Sequence, residues 1–118
     1  MKEVTLTKSL TVLDQNYGLI IVELENAVSL YIYEDKPKFG TFGISVPATE
    51  FMSASTLYIT GQKNEQYVRM IGERIATKTQ KLVLVSLNII DITNDILLKI
   101  LENVENELLK KEEKEEEA

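Results

Sequence analysis

Cysteine and histidine are both absent from this chain of 118 residues. Without cysteine there is no disulfide framework and no thiol chemistry. The missing histidine excludes more, because most zinc sites draw on His or Cys and most general-base mechanisms near neutral pH use His. Carboxylate, hydroxyl and lysine chemistry remain. No apolar run approaches the length of a membrane span, and Met1-Lys2-Glu3 leads into an alternating pattern, not a signal-peptide core. This predicts a cytoplasmic protein. An excess of positive charge is also lacking: 13 Lys and Arg stand against 19 Asp and Glu, a net charge of −6. Phosphate neutralisation supplies much of the affinity for nucleic acid, and basic clusters bind anionic lipid, so neither nucleic acid nor a membrane is an expected partner.

What is present is globular composition, 44% hydrophobic and 7% aromatic, in a length that suits one domain with one core. The charged residues are chiefly Lys and Glu and Ile is abundant, a bias of hyperthermophile proteomes that points to an archaeal, thermophilic source. The expected division is a single domain over 1–110 and a charged tail over 111–118, where the sequence becomes Lys111-Glu-Glu-Lys-Glu-Glu-Glu-Ala118.

Val4 to Leu13 alternates in part and predicts a strand with a bulge near Lys8 and Ser9. Asp14 to Gly18 reads as a turn, with Asn16 and Gly18 able to take positive φ. Leu19 to Leu24 is an apolar run and predicts a central strand. After a turn at Glu25 to Ala27, Val28, Leu30 and Ile32 point to one side of a third strand and Ser29, Tyr31 and Tyr33 to the other. Glu34 to Lys38, around Pro37, reads as the turn of a hairpin whose second strand opens at Phe39 and ends at Pro47. Pro47 to Ala54 has no clear period and predicts a loop that tucks Phe51 or Met52 inward. Ser55 to Thr60 alternates as a fifth strand ended by Gly61.

Helical spacing then takes over. Asn64 is a candidate N-cap, Tyr67, Val68, Ile71 and Ile75 form a stripe with Met70 at its edge, and the helix is expected to end near Lys78. Lys81 to Ile90 predicts a central strand, parallel or antiparallel, covered on both faces. Asp91 or Thr93 caps a last helix with the stripe Ile96, Leu97, Ile100, Leu101, Val104 and Leu108. The fold class is therefore α+β: a mainly antiparallel sheet of about six strands with two helices, in the order β-β-β-β-β-α-β-α.

Catalytic motifs do not emerge. Gly40-Thr41-Phe42-Gly43 matches neither a phosphate-binding loop nor a dinucleotide fingerprint. It reads as two glycines easing a twisted strand, or as a close backbone approach to a partner. Glu34 and Asp35 sit on a turn, and no serine has a histidine or a correctly spaced lysine. No catalytic, cofactor-binding or metal-ligating residue is predicted. The aromatic face of the third strand is either packed under a helix or an interface, since aromatics are enriched at interface centres. The candidate interface comprises Tyr31, Tyr33, Lys36, Lys38, Phe39 and Phe42, with Leu98 and Leu109, which fall off the main stripe of the last helix. The two lysines read as a solvated turn or as a basic rim for an acidic partner. A sheet with apolar residues on both faces and only two helices predicts a homo-oligomer, a dimer or tetramer.

The succession of elements resembles the small proteasome-assembling chaperones of the three/four type. The likeness runs from about Leu19 to Leu108. It rests on Val28-Ser-Leu-Tyr-Ile-Tyr33 leading into Lys38-Phe-Gly-Thr-Phe-Gly-Ile-Ser-Val46, on Leu57-Tyr-Ile-Thr-Gly-Gln62, and on Leu82-Val-Leu-Val-Ser-Leu-Asn-Ile89 between two helices. The resemblance implies a compact antiparallel sheet with helices packed on it, dimerisation with itself or a related subunit, and no catalysis. It implies a role in assembling the α-ring of the 20S proteasome, with proteasome α-subunits or a companion assembly chaperone as partners. Larger proteasome-binding chaperones carry a hydrophobic–Tyr–any C-terminal tripeptide. This sequence ends Glu116-Glu117-Ala118, which predicts action through a companion factor that carries the anchor. The alternative is a small dimeric scaffold of the roadblock type that regulates another protein. Those usually begin with a helix, whereas this chain begins with strands.

Overall fold

The computed structural model describes residues 5–12 and 14–117. Strands β1 (Thr5–Val12), β2 (Gln15–Glu23), β3 (Ala27–Glu34), β4 (Thr41–Val46) and β5 (Ser55–Thr60) precede helix α1 (Glu65–Thr79), strand β6 (Leu82–Asn88) and helix α2 (Asn94–Glu117). The α+β class and the element order are those predicted. The six strands form one sheet in the order β1-β2-β3-β6-β4-β5. All neighbours are antiparallel except β3 and β6, which run parallel.

The sheet corrects the hairpin expected through Pro37. β3 and β4 are not neighbours, because β6 lies between them and pairs with both. The physical reason is in β6 itself. Val83, Val85 and Leu87 on one face and Leu82 and Leu84 on the other make it the strand least suited to an edge. The connection over residues 35–40, extended, reaches roughly 20 Å, ample for two strand spacings of about 4.8 Å. β4 accordingly starts at Thr41 and not at Phe39.

Two smaller expectations also change. The predicted turn at Asp14 to Gly18 is a tight one before Gln15, with Asp14 the residue at positive φ (65°), because Val12 already pairs with Gln15. Tyr17 and Gly18 belong to β2, where Tyr17 joins the core. The bulge expected near Lys8 is absent from the unbroken β1–β2 register; a register shift falls instead between β4 and β5, at Ile44 and Ser45.

Both helices lie on one face of the sheet. That face carries Tyr17, Leu19 and Ile21 of β2, Val28, Leu30 and Ile32 of β3, and Val83, Val85 and Leu87 of β6, in register and buried. Against them pack Val68, Ile71, Ile75 and Ala76 of α1 and the predicted α2 stripe of Ile96, Leu97, Ile100, Leu101, Val104 and Leu108. Each such aliphatic side chain contributes roughly 1.5–3 kcal/mol on burial. α1 reaches the sheet closely at two glycines. A β-carbon on Gly43 would lie 2.6 Å from Val68 Cγ1, and one on Gly72 would overlap Ser45.

The helix starts are tied down differently. Thr93 caps α2, its hydroxyl accepting from the Ile96 N–H at 3.3 Å and its carbonyl from the Leu97 N–H. Asn64, the predicted cap of α1, makes no side-chain cap; at φ 62° its carbonyl accepts from Tyr67 and Val68, while its amide donates to the Ile89 carbonyl at 2.9 Å. The side chain therefore fastens the start of α1 to the chain leaving β6. Lys8–Glu107 at 2.9 Å links β1 to α2, and Arg74–Glu105 links α1 to α2, with the carboxylate holding the Arg74 guanidinium above its usual pKa.

Candidate functional site

Among the described residues, no helix lies on the opposite face of the sheet. Period-two alternation and the strand register place its side chains in rows. One row is Ile20, Tyr31, Ser86, Phe42 and Thr60 across β2-β3-β6-β4-β5, and the next is Val22, Ser29, Leu84, Ile44 and Tyr58. Leu82 and Val46 lie on the same face beyond them. Most of these groups are half-buried; Ser86 is buried, and Tyr31, Tyr58 and Thr60 are exposed. Five spacings of about 4.8 Å and strands of about 20 Å give the face roughly 500 Å² in plan. Contiguous apolar patches on monomers are typically about 300–600 Å² and are often functional.

One end of this face is built by the segment after β3. Asp35 turns the chain at φ 62°. Beyond it the Gly40 N–H donates to Ser86 Oγ at 2.9 Å, and the Asn88 amide donates to the Phe39 carbonyl at 3.1 Å. The two polar side chains of β6 on this face thus clamp the segment across the strand end. A β-carbon on Gly40 would overlap the Leu87 carbonyl, so glycine is needed for that approach. Phe39 then stacks on Phe42, with ring centroids 5.5 Å apart at 28°. Phe39 nevertheless stays 62% exposed.

Beside it opens a hollow of about 240 Å³ lined by Ile20, Tyr31, Tyr33, Pro37, Lys38 and Phe39. Tyr33 forms its floor and is buried, because its ring lies across Gly18, where any β-carbon would overlap it. The structure thus gathers Tyr31, Tyr33, Lys38 and Phe39 around one hollow, with Phe42 stacked beside it and Lys36 on the exposed turn. Leu98 is exposed, but on α2 in the helical layer on the other side of the sheet, so it does not join them. The Leu109 side chain lies outside the described residues.

Sequence reasoning missed the breadth of the face. Ile20, Val22, Leu84, Ile44 and Tyr58 belong to it, and the signal was the apolar residue at every second position of β2, β4 and β6. It also misread residues 47–54. Phe51 is 91% exposed and Met52 64% exposed, neither tucked inward. Thr49 explains this: its hydroxyl accepts from the Phe51 and Met52 N–H groups at 3.3 and 3.1 Å, and its own N–H donates to the Met52 carbonyl at 2.7 Å. The backbone is closed into a turn by local bonds, without any side chain having to reach the core.

Two other hollows carry no comparable chemistry. One of about 190 Å³ lies at the end of β6 between Gly40, Lys63, Asn64 and Ile90. Another, of about 270 Å³, brings Tyr17 near Glu34 and Asp91. Burial, and then Glu34, Asp35 and Asp91, hold the Tyr17 hydroxyl above its usual pKa, so it stays protonated at neutral pH. Among the described residues no group of His, Cys, Asp and Glu is arranged to hold a metal ion, and no helix is long and apolar enough to cross a membrane.

No protein-family model matches the chain, and no curated protein matches it. Among solved structures the fold is similar to a chain of a chaperone complex for yeast 20S proteasome assembly. The TM-score is 0.60 at 13% sequence identity, over 93% of this chain and 98% of that one. The shared feature is the fold.

Proposed function

We propose that the chain is a non-enzymatic assembly chaperone that acts by protein–protein binding, with the uncovered sheet face as its principal docking surface. The observation that carries this is the contiguous apolar face itself: both helices lie on the other side, and among the described residues no further helix or strand covers it. The likeness in fold to a chain of a proteasome-assembly chaperone complex supports the reading. The face is closed by a second copy of this chain or by a related subunit, and the resulting dimer serves assembly of the proteasome α-ring, directly or through a companion factor.

The test is calorimetric titration of the purified protein with isolated α-subunits and with a companion assembly factor, alongside sedimentation of the protein alone. Binding to either, with dimerisation at micromolar concentration, is the expected result. A folded chain that stays monomeric and is silent toward both would overturn the reading.

A further inference from the structure

We infer that the interface between two copies of this chain is keyed by Phe51, which enters the hollow between Tyr31 and Phe39 of the other copy. The inference rests on the sheet-face dimer proposed above and specifies its packing. Phe51 is the most exposed large apolar side chain of the described residues, at 91%. It stands on a turn held by three hydrogen bonds to Thr49, so its display needs little ordering on association. The hollow is apolar-walled and about 240 Å³ in volume. A cavity of about 150 Å³ already accepts benzene.

The two features lie at opposite corners of the sheet. The hollow lies where β2 and β3 approach the end of β3, whereas the turn follows the end of β4, which runs antiparallel to β6 and so finishes at the opposite end of the sheet. A two-fold axis lying in the interface along the other diagonal exchanges these corners and forms the contact twice. In a C2 dimer every contact is repeated in this way. Such an axis crosses the two sheets near a right angle, one of the two preferred packings. Area argues for the same arrangement. The face alone offers roughly 500 Å² in plan, whereas a standard interface buries about 800 Å² per partner. The Phe51 turn and the Phe39 segment supply the margin.

The absence of cysteine makes the test direct. Chains carrying Met52→Cys are mixed with chains carrying Lys38→Cys and treated with a short bismaleimide. The mixture is expected to give a cross-linked dimer, and either chain alone is expected to give none. In parallel, Phe51→Ala is expected to weaken self-association by about 10- to 100-fold in sedimentation, with the melting temperature of the dilute monomer unchanged because the side chain touches little of its own chain. Dimerisation unaffected by Phe51→Ala, or weakened without the mixed cross-link, overturns the Phe51 contact and leaves the sheet-face dimer standing. A chain that never self-associates, or that pairs only with a different protein, overturns the second copy as the occupant.

Discussion

Single side chains decide how closely the layers meet. Gly43 is a case in which the missing methyl matters: Val68, itself buried, occupies the space. Gly43→Ala should therefore destabilise the fold by about 1–3 kcal/mol through overpacking, read in chemical denaturation. Phe39 is the opposite case, its ring resting on Phe42 with most of its surface in water. Phe39→Ala should leave the melting temperature of the monomer almost unchanged while weakening association. A loss of several kcal/mol in the monomer would show that Phe39 is a core residue. Tyr17 makes a pH prediction. Its hydroxyl is held above the usual value of 10 by burial and then by Glu34, Asp35 and Asp91. Above about pH 10 the unfolded chain loses this proton before the folded one does, so the fold binds more protons and stability falls as pH rises. Tyr17→Phe should flatten that part of a melting-temperature profile between pH 9 and 11.

At the scale of elements, periodicity carried much of the structure, and pairing did not follow from it. The α2 stripe from Ile96 to Leu108 is buried at every position named from its three- and four-residue steps. Leu101→Ala should cost about 2–5 kcal/mol, whereas truncation after Lys110, which removes no apolar side chain larger than alanine, should stay within about 0.5 kcal/mol. Comparable losses would mean that the end of α2 packs on the sheet. The split of β3 into a covered face of Val28, Leu30 and Ile32 and an opposite face with Tyr31 was likewise legible, because a strand's alternation records its surroundings. The insertion of β6 between β3 and β4 was not. A short connection usually means adjacent strands, and nothing in residues 34–38 reveals that a strand 45 residues later has a stronger claim on the centre. The exposure of Phe51 was hidden for a related reason. Local hydrogen bonds to Thr49 outweighed the apolar preference of the side chain, and hydrophobicity alone does not register such bonds.

For the whole molecule, the arrangement is two layers with one side finished and one left open. The core lies between the sheet and its two helices, and the other face has the composition of an interface centre, with aromatic and aliphatic groups in rows and charge confined to the turns. Self-association should accordingly persist at high salt, because it rests on apolar burial and not on exposed charges. Sedimentation in 0.15 M and 1 M salt checks this, and dissociation at 1 M would point to a charged docking surface instead.

The central place of β6 also governs the order in which the molecule can be made. Synthesis from the N-terminus delivers β1-β2-β3 as one antiparallel piece and β4-β5 as another, and each presents an unpaired inner edge until residues 82–88 emerge from the ribosome. During that interval the nascent chain holds two adhesive strand edges and no means of joining them. When β6 arrives it docks between both at once, so completion of the sheet is a late, single event. Fragments released before residue 82 should collect in the insoluble fraction, whereas those reaching past the apolar stripe of α2 should be protease-resistant.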